Sequence, residues 1–161
     1  MRRLLPFFLA CFFLFSSCNT ASASGEVSIR HVMTRIQNAL GGEETFVAAD
    51  DDFTETNLDA TVTVRERLVS FGSGQEVKEI GLFLLDDRRD AAALKENIRV
   101  YLKNEQEAIS SLAELYPAEE LEARLSLYRN ATVGAEGMLV YYLVLNDSDT
   151  QKALVALTGR Q

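Results

Sequence analysis

Ile29, Val32, Met33, Ile36 and Leu40 fall three or four residues apart, the spacing of a helix with one buried face over Ser28 to Leu40, and Gly41-Gly42 stops it. Val62, Val64 and Leu68 alternate as in a strand, with a helix as the open alternative over residues 62–71. Phe71-Gly72-Ser73-Gly74 then reads as a hairpin connection. Ile80-Gly81-Leu82-Phe83-Leu84-Leu85 has no polar position, as expected of a central strand covered on both faces. Asp87 is the expected N-cap of a long helix, Asp90 to Tyr116, with Leu94, Ile98, Tyr101, Leu102, Ile109, Leu112 and Tyr116 inward. Pro117 interrupts it, and Ala118 to Leu127 continues as a second piece with Leu121 and Leu125 inward. Strands are expected near Tyr128 to Val133 and Met138 to Leu145, joined by Gly134-Ala135-Glu136-Gly137. Ser148 and Gln151 match a capping box for a last helix burying Leu154 and Leu157.

One regularity organises these elements. Leu85-Asp86-Asp87 leading to Ala93-Leu94 recurs sixty residues on as Leu145-Asn146-Asp147 leading to Ala153-Leu154. Each is an apolar strand, a polar corner and a capped helix. The pattern predicts an α+β fold with a small mixed sheet of about four strands covered by helices, a split-βαβ (ferredoxin-like) variant. In that reading the strands at Ile80 and Met138 are parallel neighbours in mid-sheet. The strand from Val62 takes the place of the usual last strand.

The N-terminus follows a different pattern. Arg2 and Arg3 precede a twelve-residue apolar run, Leu4 to Phe15, well short of the ~20 apolar residues that span a bilayer. Leu14-Phe15-Ser16-Ser17 before Cys18 resembles the bacterial lipobox, with Phe15 where Leu is usual. Residues 1–17 are therefore expected to be a signal peptide, and Cys18 a lipidated N-terminus. Cys11 is a poorer candidate because only seven apolar residues precede it. Ala21-Ser22-Ala23 offers the rival site, whose cleavage would release a secreted, unlipidated protein. Residues 18–25 are small and polar and read as a lipidated tether reaching roughly 15 Å. Residues 26–161 make a single domain, ordinary for this length.

Charge then removes several classes of function. The chain has 16 basic and 24 acidic residues, and Arg2 and Arg3 lie ahead of Cys18, so the part from Cys18 onward has a net charge near −10. Such a surface is repelled by phosphate backbones and by anionic lipid headgroups, which argues against nucleic-acid binding and against adhesion to a membrane through a basic patch. The two cysteines, Cys11 and Cys18, both lie in or at the end of the targeting segment, and His31 is the sole histidine. The domain thus offers no disulfide and no Cys- or His-rich metal site, and no cofactor is expected.

Candidate chemistry is sparse. His31 sits on a helix flank with no serine elbow elsewhere, and reads as a surface residue. Asp86 and Asp87 would meet Asn146 and Asp147 at the carboxyl ends of parallel strands, where carboxylates can serve acid–base chemistry or simply cap helices. Asp50-Asp51-Asp52, with Glu55 and Asp59, has oxygen ligands suited to calcium but lacks the spacing and glycine of an EF-hand loop, and reads as a solvated acidic loop. Asn130-Ala131-Thr132 matches a glycosylation sequon placed in an expected strand. Of Tyr141 and Tyr142, on opposite strand faces, at most one is core.

From Glu79 onward, Glu79-Ile80-Gly81-Leu82-Phe83, the long amphipathic helix, Leu115-Tyr116-Pro117-Ala118-Glu119 and the closing strand-Asn-Asp-helix resemble domain-of-unknown-function family 4358. That family occurs in short lipoprotein-like chains of spore-forming Gram-positive bacteria. The resemblance implies an extracytoplasmic α+β domain and carries no catalytic residues. The sequence reading is a lipoprotein on the extracytoplasmic face of the cell membrane, partnered by the membrane through its anchor and by an envelope protein. Its domain is a non-catalytic binding or adaptor module, the alternative being a carboxylate-dependent enzyme or accessory factor acting on cell-envelope glycans.

Overall fold

The computed structural model describes residues 28–42, 46–58, 62–74 and 77–159. The signal and tether segments and Cys18 lie outside them. The chain runs α1 (Ile29–Ala39), β1 (Phe46–Ala48), α2 (Asp51–Asn57), β2 (Val64–Gly72), β3 (Glu79–Leu85), α3 (Ala91–Ser111), α4 (Ala118–Arg129), β4 (Thr132–Glu136), β5 (Leu139–Val144) and α5 (Asp147–Thr158). It is an α+β fold. Among the described residues the sheet has five strands in the order β1-β2-β3-β5-β4, and every adjacent pair is antiparallel.

The strands at Ile80 and Met138 are neighbours as expected, but antiparallel rather than parallel: Glu79 faces Val144 and Leu84 faces Leu139. The hairpin explains the difference. Helix α3 starts at the Leu85 end of β3, and Tyr128, near the end of α4, reaches back to Glu79 at the other end. The two helices therefore act as one crossover, and β4 runs in the direction of β3. The tight turn at Gly137 (φ 62) then sends β5 back between them, against both. The parallel middle strands expected in the split-βαβ reading are not formed.

Because side chains alternate across β3, it feeds two cores, and all seven of its residues are buried. Phe83 and Leu85, with Val140, Tyr142 and Val144 of β5, face α3 and α4. Ile80, Leu82 and Leu84, with Leu139 and Leu143, face α1 and α5. Helix α1 presents Ile29, Val32, Met33 and Ile36 to that second core, as its spacing required. Leu84→Asp and Val144→Asp place a charge in one core each. Both should unfold the domain, since an unpaired buried charge costs several kcal/mol against a total stability of about 5–15. Loss of the cooperative thermal transition in circular dichroism checks this.

Several boundaries differ from the sequence pattern. Residues 62–71 lie in or beside strand β2, not a helix. Helix α3 ends at Ser111, and Leu115 and Tyr116 are exposed in the turn beyond it. Pro117 disfavours helical backbone at Tyr116, so the helix ends before the last turn its spacing predicts. Tyr128 belongs to α4, in line with Leu121 and Leu125, so the expected strand starts only at Thr132, and Asn130 is the C-cap of α4 rather than a strand residue. The cap of α5 is Asn146, whose side chain accepts from the Asp149 amide at 2.9 Å, rather than Ser148. Two elements were not expected, the three-residue edge strand β1 and helix α2.

Candidate functional site

The chemically distinctive place among the described residues is Glu79, a carboxyl with no exposed surface at the start of the central strand. Three tyrosine hydroxyls donate to it from three elements. Tyr101 of α3 reaches Oε1 at 2.8 Å, Tyr142 of β5 makes a short bond to the same oxygen, and Tyr128 of α4 reaches Oε2 at 3.0 Å. Each tyrosine occupies an apolar stripe. Tyr101 follows Leu94 and Ile98, Tyr128 follows Leu121 and Leu125, and Tyr142 lies between Val140 and Val144 on one strand face. A buried tyrosine contributes its ring to the core but needs a partner for its hydroxyl, and one carboxyl serves all three.

Gly81 makes this geometry possible. It pairs with Tyr142 across the strands, and a Cβ at Gly81 would lie 2.0 Å from the Tyr142 ring. The ring therefore lies flat over the glycine and reaches Glu79 two residues along the same face. Around it, Tyr142 stacks on Phe83 at 6.2 Å and meets Tyr101 at 5.9 Å, while Phe53 of α2 packs edge-on to Tyr101 and Phe71.

Burial pushes the Glu79 carboxyl above its ordinary value of 4.5, and repulsion from Glu105 adds to this, while the three hydroxyl bonds pull the other way. Burial and the neighbouring carboxyl likewise raise Tyr101, Tyr128 and Tyr142, so the phenols stay protonated as donors. The arrangement ties β3, β5, α3 and α4 together through one side chain. Sealed from solvent, Glu79 can hold a proton but cannot touch a substrate.

The residues singled out from sequence do not converge. Because β3 and β5 are antiparallel, Asp86 and Asp87 lie at one end of the sheet and Asn146 and Asp147 at the other. The carboxylate pair expected there is not formed. Asp86 pairs with Arg65 at 2.8 Å, and Asp87 accepts from the Arg89 amide and guanidinium, which holds its carboxyl below the ordinary range. Asp50 is not part of a loop site: its side chain accepts from the Phe53 amide at 2.8 Å and caps α2. Among the described residues, no group of three His, Cys, Asp or Glu side chains is placed to hold a metal. His31 is exposed on α1, as expected.

At the other core, Lys78 and Asp149 form a nearly buried ion pair at 2.9 Å that fastens the approach to β3 onto α5. Burial alone would raise the Asp149 carboxyl, but hydrogen bonds from Lys78 and Lys152 hold it below its ordinary range. The tyrosine cluster was missed in the sequence although a signal exists. Glu79 is the one charged residue within β3, whose other six positions are apolar, and a charge there demands internal donors. No protein-family model, curated protein or solved structure matches the chain.

Proposed function

We propose that the chain is an extracytoplasmic lipoprotein, held at the outer face of the cell membrane by acyl chains on Cys18, whose domain is a non-catalytic binding or adaptor module. The observation that carries the second half is the separation of the acids. The two corners whose carboxylates would have met for acid–base work stand at opposite ends of the sheet, each engaged in capping or pairing. The remaining unusual carboxyl, Glu79, is sealed under three hydroxyls. The first half rests on the short apolar run and the small residues before Cys18, and it leans on no relative.

A domain this acidic does not hold to an anionic bilayer through its overall charge, and among the described residues no helix is long and apolar enough to cross one. Acyl chains supply the attachment instead, each buried methylene contributing ~0.8 kcal/mol, so two or more chains should resist high-salt and carbonate washes. In a bacterial host, Cys18→Ala should block lipid attachment and shift the protein from the membrane pellet to an uncleaved precursor or a released form. Intact-mass analysis of the N-terminal peptide checks this directly. An unmodified N-terminus at Ser24 would sink the anchor.

A further inference from the structure

We propose that the groove between α1 and α5 binds the phosphate of an anionic phospholipid headgroup and so sets which side of the domain faces the membrane. This rests on the Cys18 anchor and adds a second, specific contact to it. The groove, about 340 Å³, is lined by Arg35, Asn38, Lys152, Val155 and Gly159 among others. Helix α1 carries Arg30, His31 and Arg35 and no acid, in a chain where acids outnumber bases 24 to 16.

Arg35 is the central group. Its guanidinium is half-buried, yet no carboxylate lies within ion-pair distance of it among the described residues. Its contact is one long hydrogen bond, Nη2 to the Leu157 carbonyl at 3.4 Å, and its buried Nε has no partner. A planar guanidinium held against a helix with no carboxylate beside it among the described residues suits a bidentate oxyanion, and phosphate oxygens match its fork. Gly159 ends α5 in the left-handed region (φ 61), and a Cβ there would crowd Arg35 Nη1 at 3.3 Å, so the glycine leaves the guanidinium its place. Lys152 adds an ammonium group that is half exposed while it bonds Asp149 at 3.0 Å, and Asn38 adds an amide. The exposed Val155 on the same rim is suited to the edge of the acyl region.

Anchoring decides the source of the phosphate. Ser28 lies ten residue steps beyond Cys18, which limits the start of α1 to about 35 Å from the anchor even when fully extended. A tether this short presents headgroups at millimolar or higher effective concentration, so a site too weak to hold a free acidic protein on a bilayer is filled once the anchor is in place. One local contact is thus compatible with a net charge that repels the surface as a whole.

The test is hydrogen exchange of the full lipidated chain in vesicles of pure phosphatidylglycerol and of pure phosphatidylcholine. A ligand lowers the open, exchange-competent population of its site by a factor of one plus its concentration over Kd. Exchange of the segments around Arg35–Ala39 and Lys152–Thr158 is expected to slow about fivefold or more in phosphatidylglycerol relative to phosphatidylcholine. Arg35→Gln should abolish the difference, and Lys152→Gln, which leaves Asp149 paired with Lys78, should reduce it. Equal exchange in the two vesicles, or a difference that survives Arg35→Gln, overturns the proposal. Equal protection by inorganic phosphate in detergent also overturns it, since the groove would then be a free-phosphate site. The mass of the N-terminal peptide from the same sample reports the anchor separately, so an unlipidated Cys18 is told apart from an empty groove.

Discussion

Glu79→Ala should remove on the order of 5 kcal/mol of stability and leave the domain largely unfolded, whereas Glu79→Gln should fold and gain stability relative to the parent as the pH rises. The alanine strands three buried hydroxyls, each costing about 1–3 kcal/mol without a partner, and opens a cavity besides. Glutamine keeps the shape, and the phenols, which both donate and accept, rotate to take its amide.

The pH dependence follows from the direction of the shift. Burial raises the folded-state value of Glu79 above the ordinary 4.5, so the folded state holds the proton more tightly than the unfolded chain. The parent has its full stability from this group below 4.5 and loses it as pH rises through the folded value, with a slope of at most about 1.4 kcal/mol per pH unit for one proton. Glu79→Gln deletes that slope. Asp149 works in the opposite sense, because its folded value is depressed: its contribution is present above 3.8 and lost as pH falls through the lower folded value. The two windows do not overlap. Glu105, which burial also raises, stays in both proteins, so its own burial cancels and only its repulsion with Glu79 remains in the difference. Urea unfolding of parent and variant from pH 4.5 upward measures the effect, and superimposable profiles would show that the folded value of Glu79 is not raised above that of the unfolded chain.

The contrast between what the pattern revealed and what it hid follows from the range of each interaction. Helices α1 and α5, the buried strand β3 and the inward stripe of α3 were legible because each is a local periodicity that burial then rewards. The direction of β5 was not, since it depends on where a two-helix crossover delivers the chain, and no local spacing encodes that. The strand-corner-helix echo is present, but its two copies point in opposite directions and place their helices on opposite faces of the sheet. Helix α2 was missed because Asp50-Asp51-Asp52 reads as a solvated run, although Asp50 is its cap and Phe53 its foothold in the core. The tyrosine cluster brings together residues 22, 49 and 63 positions from Glu79, and the Arg35 groove joins helices more than a hundred residues apart. Such sites are recognisable in the sequence only as local oddities, such as a glutamate beside an apolar run or an acid-free helix in an acidic chain.

Gly81→Ala should be the most damaging single methyl that can be added to this domain, and Gly134→Ala, which looks alike in sequence, should be mild. Both glycines face a tyrosine across the strands, Gly81 with Tyr142 and Gly134 with Tyr141. At Gly81 the new Cβ would lie 2.0 Å from Cε1, 2.5 Å from Cδ1 and 2.7 Å from Cζ, so the whole Tyr142 ring must move. It has nowhere to go, because Tyr142 is fully buried between Phe83 and Tyr101 and holds Glu79. Displacing it loses the hydroxyl bond and overpacks the middle of the sheet, a cost of about 4 kcal/mol or more. At Gly134 the clash is with the hydroxyl end of Tyr141, at 2.4 Å from its oxygen, on edge strand β4, and that half-exposed ring can swing into solvent at a cost within about 1 kcal/mol. A double-mutant cycle separates steric cause from general strand damage. In a Tyr142→Ala background the ring is gone, and Gly81→Ala should then cost less than about 1 kcal/mol, giving a coupling of roughly 3 kcal/mol. Additive costs in chemical denaturation would mean that the glycine is required for the backbone of β3 rather than to seat the tyrosine over Glu79.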